Sequence, residues 1–400
     1  MQTNIPRLFI EINNSNYIFT AVAYDEDQKI KIIEKIIASN NDGVNENKFT
    51  DIKKVQEDIK KNIQTLENKL DYFFKEVTIV LDIFNHSCIN FSGFKKLNGS
   101  QVLKENISYI LNSLKLAVSE NEKEKTILHI FNSKSTLDGT KFENLPIGLY
   151  GDFYNHELTF FLIGNNDLKN IKQVFNNNSL VIKKLLIKNF IEGAHIINEN
   201  SEIETFFKIK ISKKKSQISY FDQASFKYVE YFDFGTNIVL KDIAKVCSIN
   251  EETIENILSN EIFKNNDFNE KEVLEEIFFS KINYRKIRKQ LILDIANARI
   301  LEITNIILNE NINVRSLKKE NIKVYLTIED KHILNNFEES FKSYFFKKYK
   351  AQLDLINNFE TDSITVCAAN LSNYGWKKEA IPTSQIKNSV ITKIFKFLFG

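Results

Sequence analysis

The chain opens on the apolar run Leu8-Phe9-Ile10-Glu11-Ile12, a polar break from Asn13 to Asn16, and a second run from Tyr17 to Val22. Short apolar runs separated by turn-forming asparagines predict strand, turn and strand. A third strand is expected at about Lys29 to Ile37. The period then lengthens: Ile52, Val55, Ile59, Ile63, Leu66 and Leu70 recur three and four residues apart, which is the spacing of one helix face. Thr50 or Asp51 is placed to cap that helix. Val77 to Ile83 returns as an apolar strand, so the opening predicts a mixed α/β layer.

From Asn85 to Gly164 the pattern is that of a small α+β unit inserted into the first lobe. It has a helix over about Gln101 to Val118 and strands at Thr126 to Phe131 and Leu158 to Ile163, with Pro146, Gly148 and Gly151 marking a turn-rich crossing. Helices are expected next at about Asp167 to Asn176 and Ile187 to Ile197. A second round begins near Glu204 with Phe206 to Ile211, the turn Ser212-Lys213-Lys214-Lys215, Gln217 to Phe221, and Phe226 to Phe232. Strand, turn, strand, strand and helix thus open two lobes, the layout of the actin, Hsp70 and sugar-kinase superfamily. Asn237 to Ile307 reads as mostly helical, and a last strand at Ile322 to Thr327 and a last helix bring the globular part to about Ala369.

Composition narrows the function classes. Four hundred residues with 43% apolar content exceed one ordinary core, which points to two or more lobes. A net charge of +2 from 54 basic and 52 acidic side chains gives no overall field for a polyanion, so nucleic acid is not an expected partner. Cys88, Cys247 and Cys367 are far apart and suggest neither a zinc knuckle nor a disulfide framework, as fits a reducing cytosol. Met1 to Asn13 lacks the basic start and longer apolar stretch of a signal peptide. No segment reaches the roughly 18 uninterrupted apolar residues that span a bilayer. Glycine, with 11 residues, is scarce, although phosphate-binding turns usually require it.

Three stretches carry a family resemblance. The first runs from Ile127-Leu128-His129-Ile130 through Leu137-Asp138-Gly139 to Asn144-Leu145-Pro146-Ile147-Gly148-Leu149-Tyr150-Gly151, and it resembles a segment of the bacterial actin-like FtsA family that ends in N-P-x-G-L-x-G. The second is Asn165 to Ile171, and the third, Asn237-Ile238-Val239-Leu240-Lys241-Asp242-Ile243-Ala244, is similar to that family's connecting motif. The resemblance implies a two-lobed actin-like α/β fold with an inserted α+β subdomain in the first lobe. In residue numbers, 1–84 and 165–200 form the first lobe, 85–164 the insert, 201–236 and 320–369 the second lobe, and 237–319 a helical subdomain. A linker at 370–388 and an amphipathic helix at 389–400 follow.

The resemblance also locates the nucleotide positions, and there the sequence departs from the pattern. Glu11 stands at the first acidic position, but Asn13 and Asn14 replace Gly-Thr. The second hairpin, expected as D-x-G-G-G-T, reads Lys210-Ile211-Ser212-Lys213-Lys214-Lys215, with Gln217 where another Asp is usual, and Ile328 and Glu329 replace a Gly-Gly turn. Side chains in that turn keep backbone N–H groups from cradling phosphate, and Lys210 puts positive charge where Mg²⁺ needs negative charge. ATP is a trait of the family, yet these degenerate motifs predict no cofactor, no metal and no catalytic residue: a pseudo-ATPase. Direct phosphate neutralisation by the lysines is the alternative left open.

The remaining expectations concern partners. Asn283 to Leu301 reads as a basic helix, and by the resemblance Arg285, Lys289 and Arg299 match positions that bind the acidic C-terminal peptide of FtsZ. In the tail, Val390, Ile391, Ile394, Phe395, Phe397, Leu398 and Phe399 share one broad helical arc with Ser389, Lys393 and Lys396 opposite, the pattern of an interfacial anchor for anionic lipid. The family further implies self-association into filaments, other division proteins bound through the insert, and a peripheral location on the cytoplasmic side of the inner membrane at the division septum. The expected function is an adaptor that anchors FtsZ filaments. A PilM-like or GspL-like adaptor of a pilus or secretion machine, and an enzyme of the sugar-kinase superfamily, are the rivals.

Overall fold

The computed structural model describes residues 5–382 except 28, 41–42, 46, 261–262, 264–268, 280–282, 318–321, 330–342, 344–351 and 357–358. These fall into two compact units, one drawn from Met1–Glu204, Phe221–Val229 and Phe359–Gly400, the other from Thr205–Tyr220 and Glu230–Asn358.

The first unit begins with β1 (Arg7–Ile12), β2 (Asn16–Tyr24) and β3 (Ile30–Ser39), then the short pair β4 (Val44–Asn45) and β5 (Lys48–Phe49). Helix α1 (Ile52–Leu70) follows, with Asp51 accepting from the Lys53 and Lys54 amides and Val55, Ile59, Ile63 and Leu66 buried, as the spacing predicts. Next comes β6 (Glu76–Leu81), parallel to β1.

An α+β insert then interrupts the layer: β7 (Ser87–Lys96), α2 (Lys104–Asn121), β8 (Lys125–Leu137), β9 (Thr140–Phe142) and β10 (Phe153–Gly164). Strand β10 pairs antiparallel with both β7 and β8. Helix α2 lays Ile107, Ile110, Leu111, Leu114 and Val118 on this sheet. The sequence pattern missed β7, whose alternation includes polar Asn90 and Ser92 on an edge.

Returning to the layer, the chain forms α3 (Asn165–Asn176), β11 (Val181–Ile187) and α4 (Lys188–Glu199). The sheet order is β11-β6-β1-β2-β3. Strands β11, β6 and β1 run parallel, so their carboxyl ends lie side by side. Strand β11 was also hidden in the sequence. Its Lys183-Lys184 pair breaks the apolar run, yet Lys184 is fully buried and donates to the Leu371 carbonyl at 3.2 Å.

The second sheet is built from β12 (Phe206–Ile211), β13 (Ser216–Asp222) and β14 (Ser225–Phe232), each within a residue or two of expectation. Helices α5 (Asn237–Cys247), α6 (Glu251–Ser259), α7 (Lys289–Thr304) and α8 (Ile312–Leu317) precede β15 (Lys323–Ile328) and β16 (Gln352–Leu355), and the order is β14-β13-β12-β15-β16.

Two domain boundaries differ from the expected ones. Residues 221–229, expected in the second lobe, belong to the first unit, where the Phe226 ring stacks on Phe161 at 4.1 Å. Helix α9 (Thr361–Tyr374) joins that unit too: the Tyr24 hydroxyl donates to the Ala369 carbonyl at 3.3 Å, and α9 buries Ile364, Cys367, Ala368 and Leu371. The expected linker at 370–388 therefore starts as the last turn of α9 and continues as β17 (Glu379–Pro382), which pairs antiparallel with β8. A four-residue strand is too short to show a period, and single contacts hold it: the Trp376 indole donates to the Ala224 carbonyl at 2.7 Å, and Glu379 lies 2.6 Å from His129 Nδ1. Residues 383–388 and the tail at 389–400, with Val390, Ile391, Lys393, Ile394, Phe395, Lys396, Leu398 and Phe399, lie outside the described residues.

Candidate functional site

In an open parallel layer, ligands bind where strands end at their carboxyl edge. Glu11, Asp82 and Lys188 stand at the ends of β1, β6 and β11, and the Asp82 amide donates to the Ile12 carbonyl at 3.0 Å. Lys188 Nζ lies 2.7 Å from Glu11 Oε1 and 3.0 Å from Asp82 Oδ2. Burial works against its charge, but Asp82, Glu11 and Glu192 outweigh it and hold the Lys188 pKa well above the ordinary lysine value. The first acidic position thus carries an internal cation.

The adjoining hairpin is equally self-satisfied. Asn13 Oδ1 accepts from the Ser15 and Asn16 amides at 2.9 and 2.7 Å, so these two N–H groups are bonded within the turn. Asn14 Oδ1 accepts from the Asn47 amide at 2.8 Å. Of the two asparagines that replace Gly-Thr, Asn13 closes the turn with its side-chain oxygen, as short polar residues commonly do, and Asn14 ties the turn to the segment at Asn47.

In the second unit, Lys210 near the end of β12 pairs with Glu329 at 2.7 Å, and the Glu329 amide donates to the Ile211 carbonyl at 3.0 Å. Ile328, in register with Ile211, is buried, so β15 continues as strand where a glycine turn was expected. The Ser212–Lys215 turn closes through Ser212 N to Lys215 O at 2.8 Å, and none of its residues has a positive φ. The lysine-rich turn therefore has no need of glycine, because it takes a different shape. Its carbonyls face α5, with Thr236 N donating to Ser212 O at 3.0 Å and Asn237 N to Lys213 O at 2.9 Å. That close approach requires Gly235, since a Cβ there would lie 2.0 Å from the Ser212 oxygen. Lys213 pairs with Glu255 at 3.0 Å, Lys215 approaches Asp233 at 3.8 Å, Lys214 is exposed, and Gln217 lies on β13.

These residues do not fit a hydrated Mg²⁺ with its phosphates. A cation at Glu11 would have to displace the Lys188 ammonium, and one at Lys210 would meet like charge. Among the described residues no group of three or more His, Cys, Asp or Glu could hold a metal ion. Sequence reasoning missed Asp82 and Lys188. Their only signal was position, directly after the apolar runs Val77 to Leu81 and Leu185 to Ile187.

The basic segment differs from expectation as well. Helix α7 begins at Lys289, leaving Arg285, Lys286 and Arg288 ahead of it. Lys289 is 3% exposed and bonds Glu275 and Glu272 at 2.6 and 3.3 Å. Arg299 pairs with Asp242 and, at 2.6 Å, with Glu302. Arg285 is exposed and borders a depression of about 610 Å³ with Lys245, Asn250 and Asn283. The structure does not bring the three basic residues together as free charges.

Comparison with solved structures identifies the architecture. The chain is similar to the PilM-PilN type IV pilus biogenesis complex, with a TM-score of 0.52 and 10% identity over 92% of this chain and 97% of that one. The protein has the two-lobed actin-like fold. Lower similarities extend to MreB5 of Spiroplasma citri bound to ADP (TM-score 0.45, 10% identity, 91% and 96% covered) and to the ethanolamine utilization protein EutJ from Carboxydothermus hydrogenoformans (0.43, 10%, 92% and 89%). No family model and no curated protein matches the sequence. At 10% identity the likeness establishes the actin-like fold alone.

Proposed function

We propose that this actin-like protein is a non-catalytic adaptor of the FtsA type, a pseudo-ATPase that links FtsZ filaments to the cytoplasmic face of the bacterial inner membrane at the septum. The observation that carries the non-catalytic part is Lys188, whose ammonium bridges Glu11 and Asp82 where an actin-like ATPase needs free carboxylates. The adaptor part rests on the three sequence resemblances and on the amphipathic pattern of 389–400, with an α+β insert between β6 and α3 in keeping with both. In this reading Arg285 and neighbouring Lys245 receive the acidic FtsZ peptide, while Lys289 and Arg299 serve the fold. Many copies, gathered on a filament, make a single weak anchor effective.

Two measurements test the parts separately. Calorimetric titration with ATP is expected to give no Mg²⁺-dependent binding, and micromolar Mg²⁺-dependent affinity would overturn the pseudo-ATPase. Sedimentation with anionic liposomes is expected to carry FtsZ down with the full chain and to fail after deletion of 389–400. Co-sedimentation that survives the deletion, or sedimentation of the full chain that leaves FtsZ in the supernatant, would sink the adaptor reading.

A further inference from the structure

At the opposite end of the insert sheet from β17 lies β7, ten residues long and paired with β10 alone. Its register runs unbroken from Ser87 opposite Leu162 to Lys96 opposite Phe153, whereas β8, on the other flank of β10, shifts register twice. An edge strand offers a row of backbone N–H and C=O groups, and folded proteins blunt such edges with proline, bulges or charge. Strand β7 has no proline and no bulge, and its lysines stand at its end, where Lys95 Nζ lies 4.5 Å from the centre of the Tyr109 ring of α2. One face is closed: Ile89 and Phe91 pack on the core under α2, and Gly93 passes so near that a Cβ there would lie 2.6 Å from Ile110. The other face exposes Asn90, Ser92 and Phe94, with Phe94 73% exposed and Phe153, on its diagonal across β10, 54% exposed. Near the start of the strand the Val229 amide donates to Cys88 Sγ at 3.3 Å. Among the described residues no strand pairs with the outer edge from Ile89 to Lys95.

We propose that this edge is an interface between two copies of the chain, β7 pairing antiparallel with β7 about a two-fold axis at Ser92. A two-fold contact must be self-complementary, and here it keeps the closed faces of both strands, with both α2 helices, on one side of a merged sheet. Centred on Ser92, Phe91 of one copy faces Gly93 of the other, where the missing side chain leaves room for the ring, and Asn90 faces Phe94. Lys95 of each copy falls opposite Ile89, so the two Lys95 backbones lie roughly 20 Å apart, beyond the screening length of physiological salt. A register centred on Phe94 would bring them within about 7 Å, and one centred on Asn90 would run into the contact between Cys88 and Val229. The dimer carries two copies of 389–400 and so would meet a membrane bivalently. That consequence rests on the adaptor reading, whereas the pairing itself does not.

The test begins with thiol cross-linking of the full chain by a reagent that spans about 5 Å, the separation of directly opposed Cβ atoms. Ser92→Cys is expected to link two copies, whereas Asn90→Cys, whose thiols would lie about 14 Å apart, is not. Analytical ultracentrifugation of the unmutated chain is expected to show a species of twice the chain mass that dissociates on dilution. Ser92→Lys, which sets two ammonium groups against each other at the axis, should weaken that dimer about tenfold or more while leaving the urea midpoint in place. Should the lysine disturb the fold, amide hydrogen exchange on the unmutated chain decides: protection between Ile89 and Lys95 must rise with protein concentration. Dimerisation that survives Ser92→Lys, equal cross-linking of the two cysteine variants, or protection indifferent to concentration would overturn the proposal. So would a chain that stays monomeric at every concentration, which would leave the edge to a strand of another protein. Dimers that form only after 389–400 is removed would overturn it too, since the chain's own tail would then cover the edge. The titration with ATP and the liposome assay are untouched by any of these outcomes.

Discussion

Glu11 and Asp82 approach each other closely enough that a common partner, the Lys188 ammonium, touches both at 2.7 and 3.0 Å. Removing one member of a buried ionic cluster is costly because the remaining charges stay desolvated and unpaired. Lys188→Met, which keeps the length and loses the charge, is expected to destabilise by roughly 3–5 kcal/mol, read as a lower urea midpoint. Lys188→Arg should recover most of that loss. A midpoint unchanged by the methionine would mean that Lys188 contributes no structural charge. Glu11 was legible from the sequence as the first acidic position, but its neutralisation was not, because Lys188 lies 177 residues away along the chain.

At the scale of elements, the segment before α7 separates two roles that one run of basic residues had merged. Lys289 is buried under two carboxylates, whereas Arg285 is exposed on the preceding segment. Arg285→Glu is expected to weaken binding of an FtsZ C-terminal peptide about tenfold and to leave the melting temperature within a degree or two. Lys289→Met should do the reverse, lowering the melting temperature with little change in peptide affinity at temperatures where the chain is folded. Peptide affinity and melting temperature measured on both variants check this, and equal peptide affinity for Arg285→Glu and the unmutated chain would remove the segment from the interface. The helix start at Lys289 escaped the sequence because Asn283 to Arg288 has no proline or glycine to mark a break, and Ile287 continues an apolar spacing.

For the whole molecule, two buried histidines make folding stability depend on pH on the acid side. Burial, helped by neighbouring His129 and opposed by Asp82, lowers the His86 pKa to about 3, and burial alone lowers that of His156 to about 4. Below the unfolded value near 6.5 the unfolded chain takes up protons that the native chain refuses, so stability falls as pH falls. The loss runs from pH about 6.5 down to about 4 for His156 and about 3 for His86. Each histidine contributes about 1.4 kcal/mol per pH unit once pH is well below 6.5. Urea midpoints measured from pH 7 to pH 5 should therefore drop, and His156→Phe should flatten the slope. A slope unchanged by that substitution would show that His156 does not titrate in this window.

What the sequence determined by itself was local: the strand-turn-strand openings at Leu8 and Phe206, helix α1 with its Asp51 cap, and the placement of an α+β insert between β6 and α3. Each is written in a period or a cap that neighbouring residues carry together. The actin-like fold was expected from two such openings taken together with the family resemblance of three stretches. Tertiary structure decided the rest. It buried Lys184 within an edge strand, carried α9 and β17 into the first unit, and joined Lys188 to Glu11 and Asp82. It also buried His156 with no hydrogen-bond partner for its ring among the described residues. The physical reason is common to all of these. A charge or a polar ring shows in the sequence only its identity, whereas its cost and its use depend on burial and on partners brought near from distant positions.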